Sequence, residues 1–141
     1  LMGSEYKQLI DFVHESVKED YENIASKYWP GALTMVIPCS KKDNIILTSN
    51  DLTIGLRIPN SNMAQSLLKE TGPLLTSSAN ISGFTGSTKA EEIALDFPSV
   101  DILGPLPWKK GSGKASTIIS WEKKRGWRLT RDGEVLVKEL Y

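Results

Sequence analysis

Cysteine and histidine are almost missing from this chain: Cys39 and His14 are the single examples in 141 residues. One cysteine excludes an internal disulfide and fits a reducing compartment, and one Cys and one His far apart supply too few ligands for a zinc site. Net charge is missing too, since 17 basic residues balance 17 acidic ones. A global basic field for nucleic acid or membrane is thereby excluded, although a local patch is not. No apolar run approaches the ~20 residues of a membrane span, and no charged-then-apolar leader opens the chain. The expected setting is the cytoplasm, with no membrane partner. At 40% hydrophobic and 24% charged residues, the chain can bury a core of its own and fits a single domain, 1–141.

What is present centres on Leu74–Gly83, Leu-Leu-Thr-Ser-Ser-Ala-Asn-Ile-Ser-Gly, which changes abruptly from apolar to polar. Leu74 and Leu75 suit a short buried strand, while Thr76, Ser77, Ser78, Asn80 and Ser82 offer donors and acceptors ahead of a glycine free to take positive φ. In an α/β sheet such a loop at a strand's carboxyl end is where ligands sit. A Ser/Asn-rich turn that satisfies only its own backbone has the same composition, so both readings stand at this point.

Ahead of this loop, Ser4 reads as an N-cap for an amphipathic helix carrying Tyr6, Leu9, Ile10, Val13 and Val17. His14 lies beside that stripe and is expected to be a partly exposed helix residue rather than a catalytic one. Tyr21, Ile24, Ala25 and Tyr28 continue the helical spacing until Trp29-Pro30-Gly31 stops it. Leu33–Ile37 reads as a strand ended by Pro38 and paired with Ile45–Leu47. In a further strand, Thr53–Pro59, alternation puts Ile54, Leu56 and Ile58 on one face and Thr53, Gly55 and Arg57 on the other. Arg57 there can grip a carboxylate or phosphate bidentately, or can be an ordinary solvated or salt-bridged strand arginine.

Asn60 or Ser61 caps a helix with Ala64, Leu67 and Leu68 that ends at Gly72-Pro73. Beyond the loop, Thr88-Lys89-Ala90-Glu91 matches a capping box for a helix with Ile93, Ala94 and Phe97. Val100–Leu103 reads as a short strand, 104–113 as an exposed loop, Ser116–Ser120 as a strand, and Trp121 and Trp127 as flanking a hairpin. Lys109, Lys110, Lys114, Lys123, Lys124, Arg125, Arg128 and Arg131 crowd into the last third. With Trp108, Trp121 and Trp127 among them they can grip RNA or a nucleotide; the plainer reading is a solvated hairpin with its tryptophans in the core.

Five blocks in order resemble one family: Lys27–Thr34 (Lys-Tyr-Trp-Pro-Gly-Ala-Leu-Thr), Gly55–Pro59 (Gly-Leu-Arg-Ile-Pro), Ser78–Gly83 (Ser-Ala-Asn-Ile-Ser-Gly), Ser116–Ile119 (Ser-Thr-Ile-Ile) and Leu129–Gly133 (Leu-Thr-Arg-Asp-Gly). Together they are similar to the YrdC/Sua5 family from about Lys27 to Gly133. The resemblance implies a mixed, twisted α/β fold around an open concave cavity. It implies a nucleotidyltransferase that makes threonylcarbamoyl-adenylate and pyrophosphate from L-threonine, bicarbonate and ATP with Mg²⁺, for the t6A modification of tRNA. Arg57, Thr76 and Ser116 match threonine-binding positions, and Thr53, Ser78, Asn80 and Arg131 match ATP-binding ones. It implies no covalent enzyme nucleophile and no protein-held metal. The alternatives are a nucleotide-binding module, or one for tRNA or double-stranded RNA, without turnover, and a carbamoyl-transfer domain of the related hydrogenase-maturation type.

The chain departs from the family pattern at Ala32, Ala115 and Asp132, where the family usually has proline, and at Gly86, where it often has a ligand-contacting Ser. Family members also carry further threonine- and ATP-binding blocks ahead of the segment matched here. The first residues, Leu1–Ser4, read either as continuing from upstream sequence or as a cloning scar, and the expectation is a family domain shortened at its front.

Overall fold

The structure, a computed structural model, describes residues 1–40, 52–84 and 86–140. By internal packing the chain divides into two compact units, Leu1–Leu75 with Ala115–Tyr141, and Thr76–Lys114. The expected strand Ile45–Leu47 lies outside the described residues.

The first unit is built on a four-stranded sheet of β1 (Leu33–Pro38), β2 (Thr53–Leu56), β3 (Thr117–Glu122) and β4 (Gly126–Arg131), in the order β2-β1-β3-β4. β1 runs antiparallel to β2 and parallel to β3, and β3–β4 is an antiparallel hairpin. The sheet is therefore mixed and, with its flanking helices, matches the α/β expectation. Alternation sorts its faces. Leu33, Met35, Ile37, Ile54, Leu56 and Ile119 are buried on one side, and Thr34, Val36, Gly55, Ile118 and Ser120 are half-buried on the other.

The buried face is covered by α1 (Tyr6–Leu9) and α2 (Lys18–Tyr28), whose Leu9, Tyr21, Ile24 and Ala25 join the same core cluster. Tyr21 donates from its hydroxyl to the Tyr6 carbonyl at 2.8 Å, and burial pushes its phenol pKa well up. Its ring meets Trp29 edge-on, with centroids 5.8 Å apart, and Trp29 Nε1 donates to the Leu33 carbonyl at 2.7 Å. These contacts tie the end of α2 to the start of β1.

The long helix expected from Ser4 onward is broken. Tyr6–Leu9 passes into a 3₁₀ turn at Ile10–Phe12, Val13 is extended, and a second 3₁₀ turn at Glu15–Val17 leads into α2. The competing force is sheet pairing: Val13 bridges Cys39, His14 N–H donates to the Pro38 carbonyl at 3.1 Å and Ser40 N–H to the Phe12 carbonyl at 3.1 Å. The end of β1 thus takes backbone partners that a helix would have kept for itself. His14 is exposed, and its Nδ1 accepts from Ser16 N–H, capping the second turn. Ser4 is not the N-cap; Glu5 holds that position, and the buried Ser4 bonds the Gln8 side chain through its N–H and hydroxyl.

Residues 1–3 complete the sheet edge. Met2 bridges Arg57 in parallel and Leu74 in antiparallel fashion, with Met2 N–H to Leu74 O at 2.9 Å and Leu74 N–H to Met2 O at 3.0 Å. The expected buried strand at Leu74–Leu75 shrinks to this one bridge. Both side chains are exposed, because no layer covers them within the first unit. α3 (Asn62–Thr71) follows Ser61, whose hydroxyl accepts from Ala64 N–H, and stops at Gly72 with φ 78°.

In the second unit, α4 (Ala90–Asp96) begins later than the capping-box pattern suggests. Lys89 is at the N-cap, and Ser87 Oγ accepts from Lys89 N–H and bonds the Glu92 carboxylate. Val100–Leu103 forms no strand, and Val100 and Leu103 are exposed, since this β-branched and apolar run finds no neighbouring strand to pair with.

Two outcomes check this packing. Ile119 is fully buried where β3 meets the helices, so Ile119→Ala is expected to cost about 2–5 kcal/mol in urea unfolding. At the chain's end, Glu139 takes a hydrogen bond from Lys27 Nζ at 2.5 Å and another from the Tyr28 hydroxyl, which hold its carboxyl pKa down at about 2. A depressed carboxyl favours the folded state fully above its ordinary value near 4.5 and loses that contribution as pH falls toward 2. An NMR titration of the Glu139 carboxyl should have its midpoint near 2; a midpoint near 4.5 would show that Lys27 and Tyr28 do not hold it.

Candidate ligand-binding site

Above the half-buried face, the turn before β1, the end of β2, the entry to β3 and the end of β4 converge. Gly31 N–H donates to the Ile58 carbonyl at 2.9 Å, and Arg57 Nε donates back to the Gly31 carbonyl at 3.1 Å. A side chain at Gly31 would put its Cβ 2.3 Å from the Tyr28 carbonyl oxygen, so only glycine fits this turn. The backbone of Arg57 is held from its other edge by Leu1 and Gly3, through Arg57 N–H to Leu1 O at 3.1 Å and Gly3 N–H to Arg57 O at 3.2 Å. The guanidinium is half-buried on the face the alternation predicts. Burial lowers its pKa, the nearby Glu134 carboxylate raises it, and the like charge of Arg131 lowers it further.

Arg131 reaches this face because β4 contains a bulge. Ile119 pairs with Leu129, but Ile118 pairs with Arg131, which leaves Thr130 as the extra residue. Strict alternation would have put Arg131 on the core side with Leu129. The bulge turns it to the opposite face, as bulges beside binding sites commonly do. Thr130 Oγ1 lies 2.6 Å from Ser120 Oγ, a hydroxyl pair that pins the extra residue. Arg131 then clamps Ser116, with Nε on its carbonyl and Nη2 on its hydroxyl, both at 2.9 Å. Ser116 is buried, and its Oγ is also 3.0 Å from Thr34 Oγ1.

Of the positions singled out in the sequence, Arg57, Ser116 and Arg131 are therefore brought together. Thr53 shares the Arg57 face at the far end of β2. Thr76 and Ser78 belong to the second unit, where both are exposed, and Asn80 donates through Nδ2 to the Ile81 and Phe84 carbonyls at 3.1 and 2.9 Å. The Asn80 amide thus closes its own turn, as the plainer reading of this loop expected. Trp121 and Trp127 pair across the hairpin and are half-buried against the core. Trp108 lines a separate cavity of about 350 Å³ within the second unit, beside Thr88, Lys89 and Lys110.

Thr34, Glu134 and the Gly31 carbonyl were not singled out as site groups. Thr34 was legible only as the last residue of a quoted block, and its pairing with Ser116 spans 82 positions.

A family model covering Sua5, YciO and YrdC, described as Telomere recombination, matches residues 1–133. The chain belongs to the Sua5/YciO/YrdC family. The match begins well before Lys27, where the resemblance by motif started, and takes in the residues that hold Arg57. Curated relatives of this Sua5/YciO/YrdC chain are named threonylcarbamoyl-AMP synthase. The one from Bacillus subtilis is 36% identical over 107 residues, covering 72% of this chain and 30% of the relative. The one from Idiomarina loihiensis is 32% identical over 104 residues, covering 72% and 56%. A solved Pyrococcus abyssi Sua5 complexed with L-threonine superposes at TM-score 0.83 and 29% identity, covering 98% of this chain and 40% of that one. E. coli YciO superposes at 0.68 and 26% identity, covering 93% and 62%. The chain spans 30% and 56% of the length of these two curated relatives.

Gly133 lies two residues after the clamping Arg131, and a Cβ there would lie 2.4 Å from Thr117 N, 2.5 Å from Ser116 C and 2.6 Å from Ala115 O. All three are backbone atoms that cannot rotate away. Gly133→Ala is expected to cost about 1–3 kcal/mol of stability and to shift the amide NMR signals of Ser116 and Thr117. Unmoved signals would mean that the backbone at 133 yields instead.

Proposed function

We propose that this chain binds L-threonine and ATP and belongs to an enzyme that joins them with bicarbonate into threonylcarbamoyl-AMP, releasing pyrophosphate, for the t6A modification of tRNA. The observation that carries the reading is the Arg57, Ser116 and Arg131 cluster, in a family whose curated relatives are named for that synthesis. Arg57 supplies a planar cation for the threonine carboxylate, and Ser116 a buried hydroxyl beside it. Arg131, clamped onto Ser116, supplies positive charge for the nucleotide, and Thr53 adds a hydroxyl on the same unit.

In this reading the threonine amine condenses with bicarbonate to a carbamate, forming the N–C bond as one water is lost, and a carbamate oxygen then attacks the α-phosphorus of ATP as pyrophosphate leaves. The protein's part is to orient the reactants and stabilise charge, for which cations and hydroxyls suffice. Among the described residues no group of three or more His, Cys, Asp or Glu side chains could hold a metal. Mg²⁺ commonly binds through substrate phosphates with few protein ligands, so this reading places the ion on the ATP phosphates as part of the substrate.

Isothermal calorimetry tests the proposal. ATP with Mg²⁺ is expected to bind more tightly when L-threonine is present, because the two share one site. No heat and no thermal shift at saturating concentrations of both would overturn the reading. Arg57→Lys keeps the charge but loses the planar fork, so threonine affinity should fall by about 1–3 kcal/mol with little change in stability. A variant that unfolds while keeping its threonine affinity would make Arg57 a structural residue.

A further inference from the structure

Thr34 has no role in the reading above, yet its hydroxyl is placed with care. It stands on β1 between Gly55 of β2 and the entry to β3. A Cβ built on Gly55 would lie 3.7 Å from the Thr34 methyl, while Thr34 Oγ1 faces Ser116 Oγ at 3.0 Å. The methyl thus takes the side that the glycine leaves open and the hydroxyl takes the side of the serine. A β-branched residue on a strand is stiff about χ1, so this orientation is kept.

The consequence follows from counting donors. A serine hydroxyl has one proton to give and two lone pairs to receive. Arginine can only donate, so the bond from Arg131 Nη2 fills one lone pair of Ser116. Thr34 can then stand in two relations to it. If Ser116 gives its proton to Thr34, nothing remains for a ligand acceptor. If Thr34 gives its proton to Ser116, both lone pairs are filled and the Ser116 proton must point away from both partners. An arriving ligand oxygen selects the second arrangement, since only that one offers it a proton. Because Ser116 is buried, water compensates poorly for a missing partner.

We infer that Thr34 is a positioning residue whose hydroxyl makes Ser116 a dedicated hydrogen-bond donor to an oxygen of the bound amino acid. The inference rests on the proposed contact between Ser116 and threonine.

Calorimetric titration of L-threonine into the unsubstituted chain, Thr34→Val, Thr34→Ser, Ser116→Ala and the Thr34→Val/Ser116→Ala double variant tests it, with thermal melting to confirm folding. Thr34→Val is expected to weaken binding by about 3–10-fold. Thr34→Ser should restore it, and in the Ser116→Ala background Thr34→Val should add no further loss. A purely structural role would give the same loss in both backgrounds. Undiminished binding in Thr34→Val, or an equal loss with and without Ser116, would overturn the inference and leave threonine binding itself standing. No threonine binding by the unsubstituted chain would overturn the functional reading and this inference with it. Should Thr34→Val fail to fold, Thr34→Ala takes its place in the same cycle with the same expected outcomes.

Discussion

One extra residue in β4 decides which side of the sheet receives Arg131. Pairing runs in step from Trp121–Trp127 to Ile119–Leu129 and then slips at Thr130, so that Arg131 comes opposite Ile118. Without the slip the guanidinium would enter a face filled by Leu33, Met35, Ile37 and Ile119, where an unpaired charge cannot be accommodated. With it, the same side chain grips both the carbonyl and the hydroxyl of Ser116. The close approach of Gly133 to the backbone of 115–117, and the bond from Glu134 N–H to the Ala115 carbonyl at 3.0 Å, hold the chain after β4 in the position this needs.

A similar economy operates at Arg57. β2 ends at Leu56, and the next residue, Arg57, takes its backbone bonds outside the β1–β2 ladder. Leu1 and Gly3 supply the missing backbone partners, and the Gly31 carbonyl takes the side chain. Arg57 is thus fixed by two segments distant from it in the sequence. Arg57 and Arg131 are close enough to lower the affinity of Arg57 for its own proton, with Glu134 opposing that effect. Arg57 is half-buried and Arg131 exposed, and two cations held near each other attract an anion, which supports the proposed contact with the threonine carboxylate.

The helical stretch at the start of the chain shows the limit of periodicity. Tyr6, Leu9, Ile10, Val13 and Val17 have helical spacing, and Leu9, Val13 and Val17 are all buried, yet the backbone leaves the helix at Val13. Apolar spacing reports which side chains go inside, and the free backbone groups at the end of β1 decided how the chain gets there. The same applies at Leu74–Leu75 and Val100–Leu103, where apolar runs suggested strands. A run of apolar residues is not a strand without a neighbour to bond, and the sequence does not reveal the neighbour.

Taken alone, the sequence determined the local features: the alternation that buries Ile54, Leu56 and Ile58 and turns Arg57 away from them, the α2 stripe, the stop at Trp29-Pro30-Gly31, a cap at Asn60 or Ser61 and the hairpin between the two tryptophans. These depend on contacts within a few residues, or on a period that can be counted along the chain. The motif blocks likewise pointed to the family and to Arg57, Ser116 and Arg131. Only the tertiary structure decided that Arg131 bonds Ser116 across 15 positions, that Thr34 meets Ser116 across 82, and that Met2 reaches both Arg57 and Leu74. These are pairings between strands and strand ends distant in sequence. Their register depends on how the whole sheet closes, including a one-residue slip at Thr130 that leaves no mark in a pattern of period two.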